Sequence, residues 1–408
     1  MPLRRKSILR TAVLQLGLLI LSLAAAEVAL QIAARTNRSV QLILAAPWET
    51  VSPVVPDATL IHRGNPLRRD HDDRGYRNER VLDTADIVTL GDSQTYGLVD
   101  SPQAWPRLLA RRLGVTVYNM ALPGYGPGQS LLQLDDALAL RPRVVTIAPY
   151  FGNDLYESFA LARIHPSLSA SAPADLRHAA DALERQQPLK EKIMASLSLQ
   201  AAPEETSAPN PRDWVSRNVK LYALLRTVKH RLTTSAPSDP LLSRRFETAA
   251  AALPPAHRQY ASPVEASGWR TILTSGYRFQ VVDDRDPRLR LGFEVMRAAI
   301  RRTAERCRAS GVRLLVLLVP TKESVFWPRV ANPDDHTNLR PLVANENRLR
   351  AELTATLVAD GIEVLDLLDI LRQSPAQPYP EDTDGHPNPL GNQVIAEAVA
   401  TRLSAGTR

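Results

Sequence analysis

Ser93 stands in the run TLGDSQTYG, Thr89 to Gly97, directly after the apolar stretch DIVTL at 86–90. Gly, Asp and Ser are ordinary turn chemistry. They could equally present a hydroxyl nucleophile at the carboxyl end of a strand. A serine hydroxyl is a poor nucleophile until a base removes its proton during attack. His386, in DTDGHPN near the end of the chain, can be that base. A carboxylate on its other ring nitrogen would fix the tautomer and stabilise the imidazolium, and Asp382 and Asp384 both precede it closely. Two further runs hold residues suited to a site: NMALPGYGPGQ, with Gly124 in a Pro-Gly turn, and FGNDLY, with Asn153 and Asp154.

The elements that would position these runs alternate between strand and helix. Strand patterns cover DIVTL, VTVYNM (115–120), RVVTIAPYF (143–151), VRLLVLLVP and IEVLDL (362–367). Between them lie helical patterns in QAWPRLLARRLG, GQSLLQLDDALALR, FEVMRAAIRRTAERCRASG (293–311) and NENRLRAELTATLVADG. Such alternation implies βαβ units and a parallel sheet, and strands that are apolar throughout fit a sheet covered on both faces. The expected fold is α/β: a flavodoxin-like three-layer α/β/α sandwich with five parallel strands. In such sheets the site lies outside the carboxyl ends of the strands. Ser93, Gly124, Asn153 and His386 all fall there, after the first, second, third and fifth strands. From about Leu155 to Leu289 the alternation stops. That length of chain without a clear pattern is rare inside a compact domain, and it reads as an inserted, largely helical subdomain. The expected organisation is a basic tail at 1–10, an apolar segment at 11–34, a connecting arm at 35–81, the α/β domain at 82–155 and 290–405, and the insertion at 156–289.

These four runs, in this order, resemble the blocks of the SGNH (GDSL-type) hydrolases. Gly91, Asp92 and Ser93 match the first block, Gly124 the second, Gly152, Asn153 and Asp154 the third, and Asp384 with His386 the last. The third block lacks the usual residue between Gly and Asn. The last block usually has two residues between Asp and His, whereas here there is one. That shorter spacing occurs in relatives that acetylate exported polysaccharides, such as the alginate O-acetyltransferases, which the loop VPTKES also loosely resembles. Asp384 is the preferred triad acid and Asp382 the alternative. The resemblance implies an oxyanion hole made of the backbone N–H groups of Ser93 and Gly124 and the side-chain amide of Asn153. It implies a serine esterase or acyltransferase working through an acyl-Ser93 intermediate, with no cofactor and no metal. No Gly-x-Ser-x-Gly occurs in the chain, so the nucleophile elbow of the α/β-hydrolases is not the match.

The amino terminus carries Arg4, Arg5, Lys6 and Arg10 and no acid before the apolar run from Thr11 to Ala34. About 20 apolar residues span a bilayer, and flanking positive charge stays inside. The expectation is a membrane anchor with a cytoplasmic amino terminus and the body outside the cytoplasm, and the alternative is a cleaved signal segment before Glu27. The net charge of +7 is dispersed, which speaks against nucleic acid as a partner. An acyl ester of an envelope carbohydrate is the expected substrate; the alternatives are a lipid or short-chain carboxylesterase and, from another class, a catalytically silent binding module. Cys307 is the only cysteine and excludes an internal disulfide or a cysteine-built zinc site; it reads as helix packing. Asp92 and Asp154 read as loop braces, His336 as a solvated loop residue, and Lys322 with Glu323 as either site lining or a helix start.

Overall fold

The computed structural model describes residues 2–44, 51–191, 193, 215, 218–233, 246–254, 258–266 and 268–405. The chain divides into two units, one of Met1–Ser52, Leu67–Arg69 and Glu204–Pro240, the other of Pro53–Pro66, Asp70–Pro203 and Leu241–Arg408.

The larger unit is built on five strands: β3 (Ile87–Gly91), β4 (Val117–Asn119), β5 (Val144–Ala148), β8 (Arg313–Leu318) and β9 (Glu363–Asp366). All pair in parallel, in the spatial order β4-β3-β5-β8-β9. The register sets Ile87 against both Val117 and Val144, and Val144 against Arg313. Successive side chains point to opposite faces, and here both faces are buried. Val88, Leu90, Val145, Ile147, Val316 and Leu318 enter one core, while Ile87, Leu315, Leu317 and Val319 enter the other. The first core takes Phe293, Met296 and Ile300 from the long helix Pro287–Ala309; the second takes Leu109 from helix Trp105–Leu113 and Ile395 and Val399 from helix Pro389–Ala405. This is the three-layer sandwich expected from the apolar strands. The chain leaves β3 toward β4 on one side and returns to β5 on the other, so the sheet order switches at the end of β3, where ligand crevices form.

Two segments differ from their reading in sequence. The arm at 35–81 contains an antiparallel hairpin, β1 (Val54–Asp57) with β2 (Ile61–Gly64), and residues 53–66 and 70–81 belong to the unit of the sheet. Asn78 exchanges hydrogen bonds with the main chain of Asn119 at 2.9 and 3.0 Å, and the Tyr118 hydroxyl donates to Asp72 at 2.6 Å. This segment thereby covers the exposed side of the edge strand β4, which would otherwise present unpaired groups. Within 156–289, the described residues of 156–203 and 241–289 also join the sheet's unit, and the rest of the insertion lies outside the described residues or in the smaller unit. Those in the sheet's unit add a second hairpin, β6 (Ser262–Ala266) with β7 (Trp269–Leu273), to the helices Ala174–Gln186 and Ser275–Val282.

In the smaller unit, helix Pro2–Thr36 includes the span Thr11–Thr36, with mean hydropathy 2.1 and no residue of its most apolar stretch buried. Glu27 accepts the main-chain N–H groups of Lys220 and Leu221, both at 2.8 Å, at the start of helix Lys220–Thr233.

Candidate active site

β3 delivers Ser93 to the switch point. Asp92 caps the short helix Ser93–Tyr96 by accepting the Gln94 N–H at 2.9 Å, the ordinary role of an N-cap carboxylate. Ser93 is therefore the first helical residue, held on a rigid turn, and is 8% exposed. Its hydroxyl meets His386 Nε2 at 2.8 Å. The other ring nitrogen, Nδ1, lies 2.5 Å from Asp384 Oδ1, and that oxygen also accepts the His386 main-chain N–H at 3.0 Å. With Asp384 accepting, Nδ1 carries the proton and Nε2 faces Ser93 as an acceptor. Burial pushes the Asp384 carboxyl up, but the hydrogen bonds and charge of His386, helped by the Lys322 ammonium, outweigh it and hold the group below its ordinary value. Asp382 occupies a different place: its Oδ1 accepts the Asp384 N–H at 2.9 Å and shapes the turn.

The loop that carries Asp384 and His386 is pinned from several sides. The Thr271 hydroxyl donates to the Pro380 carbonyl at 2.7 Å. Asn388 donates to the carbonyls of Gln377 and Tyr379 at 2.9 and 3.3 Å, and Gln94 donates to the Gly385 carbonyl at 3.3 Å. Lys322, fully buried, donates to the carbonyls of Ile272, Asp382 and Asp384. A Cβ on Gly385 would lie 2.8 Å from Arg278 Nη2, so the end of that side chain would have to shift.

Beside Ser93 and His386 opens a cavity of about 270 Å³. Its walls include Asn153, Tyr150, Tyr156, Tyr277, Arg278 and Glu157. Asn153 Oδ1 is buried without a hydrogen-bond partner. Arg278 donates to the Gly152 carbonyl at 3.0 Å, and its guanidinium stands 5.6 Å from the Tyr150 ring centre. Burial pushes the Glu157 carboxyl up to about 8, with the Asp92 charge adding to it. Burial likewise raises Asp92 to about 6, and Asp154, which accepts the Tyr150 N–H at 2.8 Å, is driven well above the ordinary carboxylate range. Gly124 does not line the cavity. It has φ of +78°, and a Cβ there would meet His62 Cε1 at 3.3 Å and Glu157 Oε1 at 3.9 Å. Its turn is tied to the hairpin β1–β2, because His62 Nε2 sits 2.8 Å from the Pro123 carbonyl.

The structure thus gathers Ser93, His386, Asp384 and Asn153 at one sheet edge and keeps the Asp382 side chain off the imidazole. Asp92 and Asp154 brace main chain, as read from the sequence. His336, read as solvated, has Nδ1 2.7 Å from the Ser262 hydroxyl. Cys307 is buried. Glu323 accepts from the main-chain N–H and hydroxyl of Thr274 at 2.8 and 3.0 Å. Arg278 and Tyr277 escaped sequence reasoning because the segment that bears them has no motif, and Glu157 because it stands one residue past the run FGNDLY.

Residues 89–263 match the family model of the GDSL-like lipase/acylhydrolases, and residues 279–407 match that of the SGNH hydrolase-like domain of the acetyltransferase AlgX. Both matches are to SGNH/GDSL-type domains. Both models describe acyl chemistry, hydrolysis in one and acetyl transfer in the other, and together they place this chain in an acylhydrolase or acetyltransferase family. Similar solved structures include a GDSL-like lipase from Bacteroides thetaiotaomicron, 12% identical, covering 78% of this chain and 88% of that one with a TM-score of 0.33. A lipolytic protein of the G-D-S-L family from Desulfitobacterium hafniense is 11% identical over 77% of this chain and 97% of that one, with a TM-score of 0.32. Likeness at this level carries no argument, and the assignment rests on the two family models. No curated protein matches the chain.

Proposed function

We propose that this SGNH protein is a serine-dependent O-acyltransferase or esterase acting outside the cytoplasm on a short acyl ester, most readily the acetyl ester of an envelope carbohydrate. The observation that carries the reading is the hydrogen-bonded row Ser93–His386–Asp384 at the carboxyl edge of the sheet, with 2.8 and 2.5 Å links. His386 takes the Ser93 proton as the hydroxyl attacks the acyl carbon. The tetrahedral oxyanion is met by the backbone N–H of Ser93 and by the Asn153 amide, whereas Gly124, the third donor implied by the resemblance, stands outside the cavity lining. Loss of one such donor typically costs about 10²–10³ in turnover. His386 then returns its proton to the leaving alcohol, and an acceptor hydroxyl or water, deprotonated by His386, takes the acyl group. Asp384 stabilises the imidazolium in both halves, and Asp382 Oδ1 accepts the Asp384 N–H in the loop.

A wall of three tyrosine rings, Arg278 and neutral Glu157 suits a small acyl group on a polar acceptor better than a long acyl chain. The match of residues 279–407 to an acetyltransferase domain supports the transferase branch. The exposed apolar helix Thr11–Thr36, preceded by Arg4, Arg5, Lys6 and Arg10, supports an anchor with the site on the far side of the membrane. The test is acetate release from a short-chain aryl ester by the full chain, with Ser93→Ala as control, repeated with added oligosaccharide and read by mass spectrometry. Ser93-dependent acetylation of the sugar is expected. Release to water alone would make the protein an esterase, and equal inertness of wild type and Ser93→Ala would leave only a binding module.

A further inference from the structure

We infer that Lys322 is a positioning residue for the Asp384–His386 arm, gathering the main-chain carbonyls of Ile272, Asp382 and Asp384 and so fixing where the imidazole stands relative to Ser93. The inference rests on the reading of Ser93 as the nucleophile. Lys322 is 0% exposed, and its Nζ lies 2.9 Å from the Ile272 carbonyl, 2.8 Å from that of Asp382 and 2.9 Å from that of Asp384. An ammonium group has three N–H donors and no acceptor, so every donor is used. Hydrogen bonds from a charged donor are the shorter and stronger kind.

The choice of atoms matters. Lys322 engages the carbonyl of Asp384 and leaves its carboxylate to His386. It engages the carbonyl of Asp382 and leaves that carboxylate to the Asp384 N–H. The Ile272 carbonyl from β7 is buried and those of Asp382 and Asp384 are half-buried. The Asp382 carbonyl also accepts from the Thr271 hydroxyl at 3.2 Å and the Ile272 N–H at 3.4 Å, and carbonyls left without a donor there are costly. A thin stem ending in three donors satisfies them together, whereas an arginine fork or a serine hydroxyl cannot reproduce the arrangement. Lys322 also opens helix Lys322–Phe326 at the end of β8, after Thr321 has capped it through the Ser324 N–H at 3.2 Å. The lysine therefore ties the rigid end of a sheet strand to the loop that bears the histidine.

The clamp has a pH range. Burial draws the Lys322 ammonium down to about 8, Glu323, Asp384 and Asp382 oppose that, and Arg278 adds to it. Below this value all three carbonyls are met. Above it a neutral amine offers two donors and turns a lone pair toward the third carbonyl, and the loop loses one tether.

The experiment uses the full chain in detergent micelles and measures the rate of Ser93 labelling by a small fluorophosphonate from about pH 6 to about pH 10, a range that spans amine and imidazole titration. Wild type should show an alkaline fall centred near pH 8. Lys322→Met should label at least about tenfold more slowly, since misplacement of about 1 Å can cost roughly 10²-fold. It should lower kcat on a short-chain aryl ester with KM little changed, and should lack the fall near pH 8. Lys322→Arg, always charged, should carry any residual activity without that fall. Glu157 also titrates near 8, and Glu157→Gln should retain the fall. Should Lys322→Met fail to fold, warming the wild type decides, because amine ionisation moves steeply to lower pH with temperature and carboxyl ionisation does not. Labelling of Lys322→Met close to the wild-type rate, an unchanged alkaline fall in that variant, or a wild-type profile flat through pH 8 overturns the inference. Wild type that never labels at Ser93 overturns the nucleophile reading and this inference with it; labelled wild type with indifferent Lys322 variants overturns this inference alone.

Discussion

Replacing Asp384 by Asn separates the two carboxylates near His386. In the wild type the Asp384 oxygen lies 2.5 Å from Nδ1 and 3.0 Å from the His386 main-chain nitrogen. The amide keeps the shape and loses the charge. A hydrogen bond to a charged group contributes about 1.5–3 kcal/mol. Two unit charges about 4 Å apart attract by about 4 kcal/mol at an effective dielectric of about 20. The Asp384 side chain is 30% exposed, so solvent screening pulls the total toward the lower end. We therefore expect about 3 kcal/mol of lost transition-state stabilisation, which is roughly 10²-fold in kcat/KM. Asp382→Asn retains an acceptor oxygen for the Asp384 N–H and should stay within about threefold of wild type, in the range of surface polar exchanges. The assay is hydrolysis of a short-chain aryl ester, with Ser93→Ala as background and fluorophosphonate titration to count competent sites. If Asp382→Asn loses as much as Asp384→Asn, the geometry of the row does not carry the chemistry and the reasoning fails.

Three further changes probe the scaffold and the cavity. A Cβ on Gly292 would lie 1.8 Å from the Leu155 carbonyl oxygen, where the long helix crosses helix Asp154–Ile164; Gly292→Ala should cost about 3 kcal/mol or more, because the obstruction is main chain, read as a lowered urea midpoint. Gly385→Ala would set its Cβ 2.8 Å from Arg278 Nη2 beside His386, and kcat should fall by about tenfold with only a small change in the thermal midpoint. Glu157 keeps its proton up to about 8 when folded but releases it near 4.5 when unfolded. Between those values the folded state binds more protons, so its contribution to stability declines as pH rises. Glu157→Gln should match the wild-type melting temperature at about pH 5 and exceed it at about pH 8, and equal curves at both would sink that account.

The sequence by itself determined the sheet and most of the edge where the site lies. Strands such as Val144–Ala148 and Arg313–Leu318 are apolar on both faces, because helices cover both, and such runs are readable without any partner in view. The carboxyl ends of the five strands then name the loops, and Ser93, Asn153 and His386 follow. The short hairpin of Val54–Asp57 and Ile61–Gly64 left no such trace, since its burial alternates weakly and it is held by contacts such as His62 with Pro123. Spacing alone could not decide between Asp382 and Asp384, because both stand within a turn of His386. In the folded loop Asp384 Oδ1 lies beside His386 Nδ1, while Asp382 Oδ1 accepts the Asp384 N–H. Lys322 reads in sequence as a lysine at a helix start, and only tertiary structure brings it to carbonyls 50, 60 and 62 positions away. The cavity wall of Tyr277, Arg278 and Glu157 arises in the same way. Local burial imprints a period on the chain, whereas a contact between distant segments constrains single residues and leaves none.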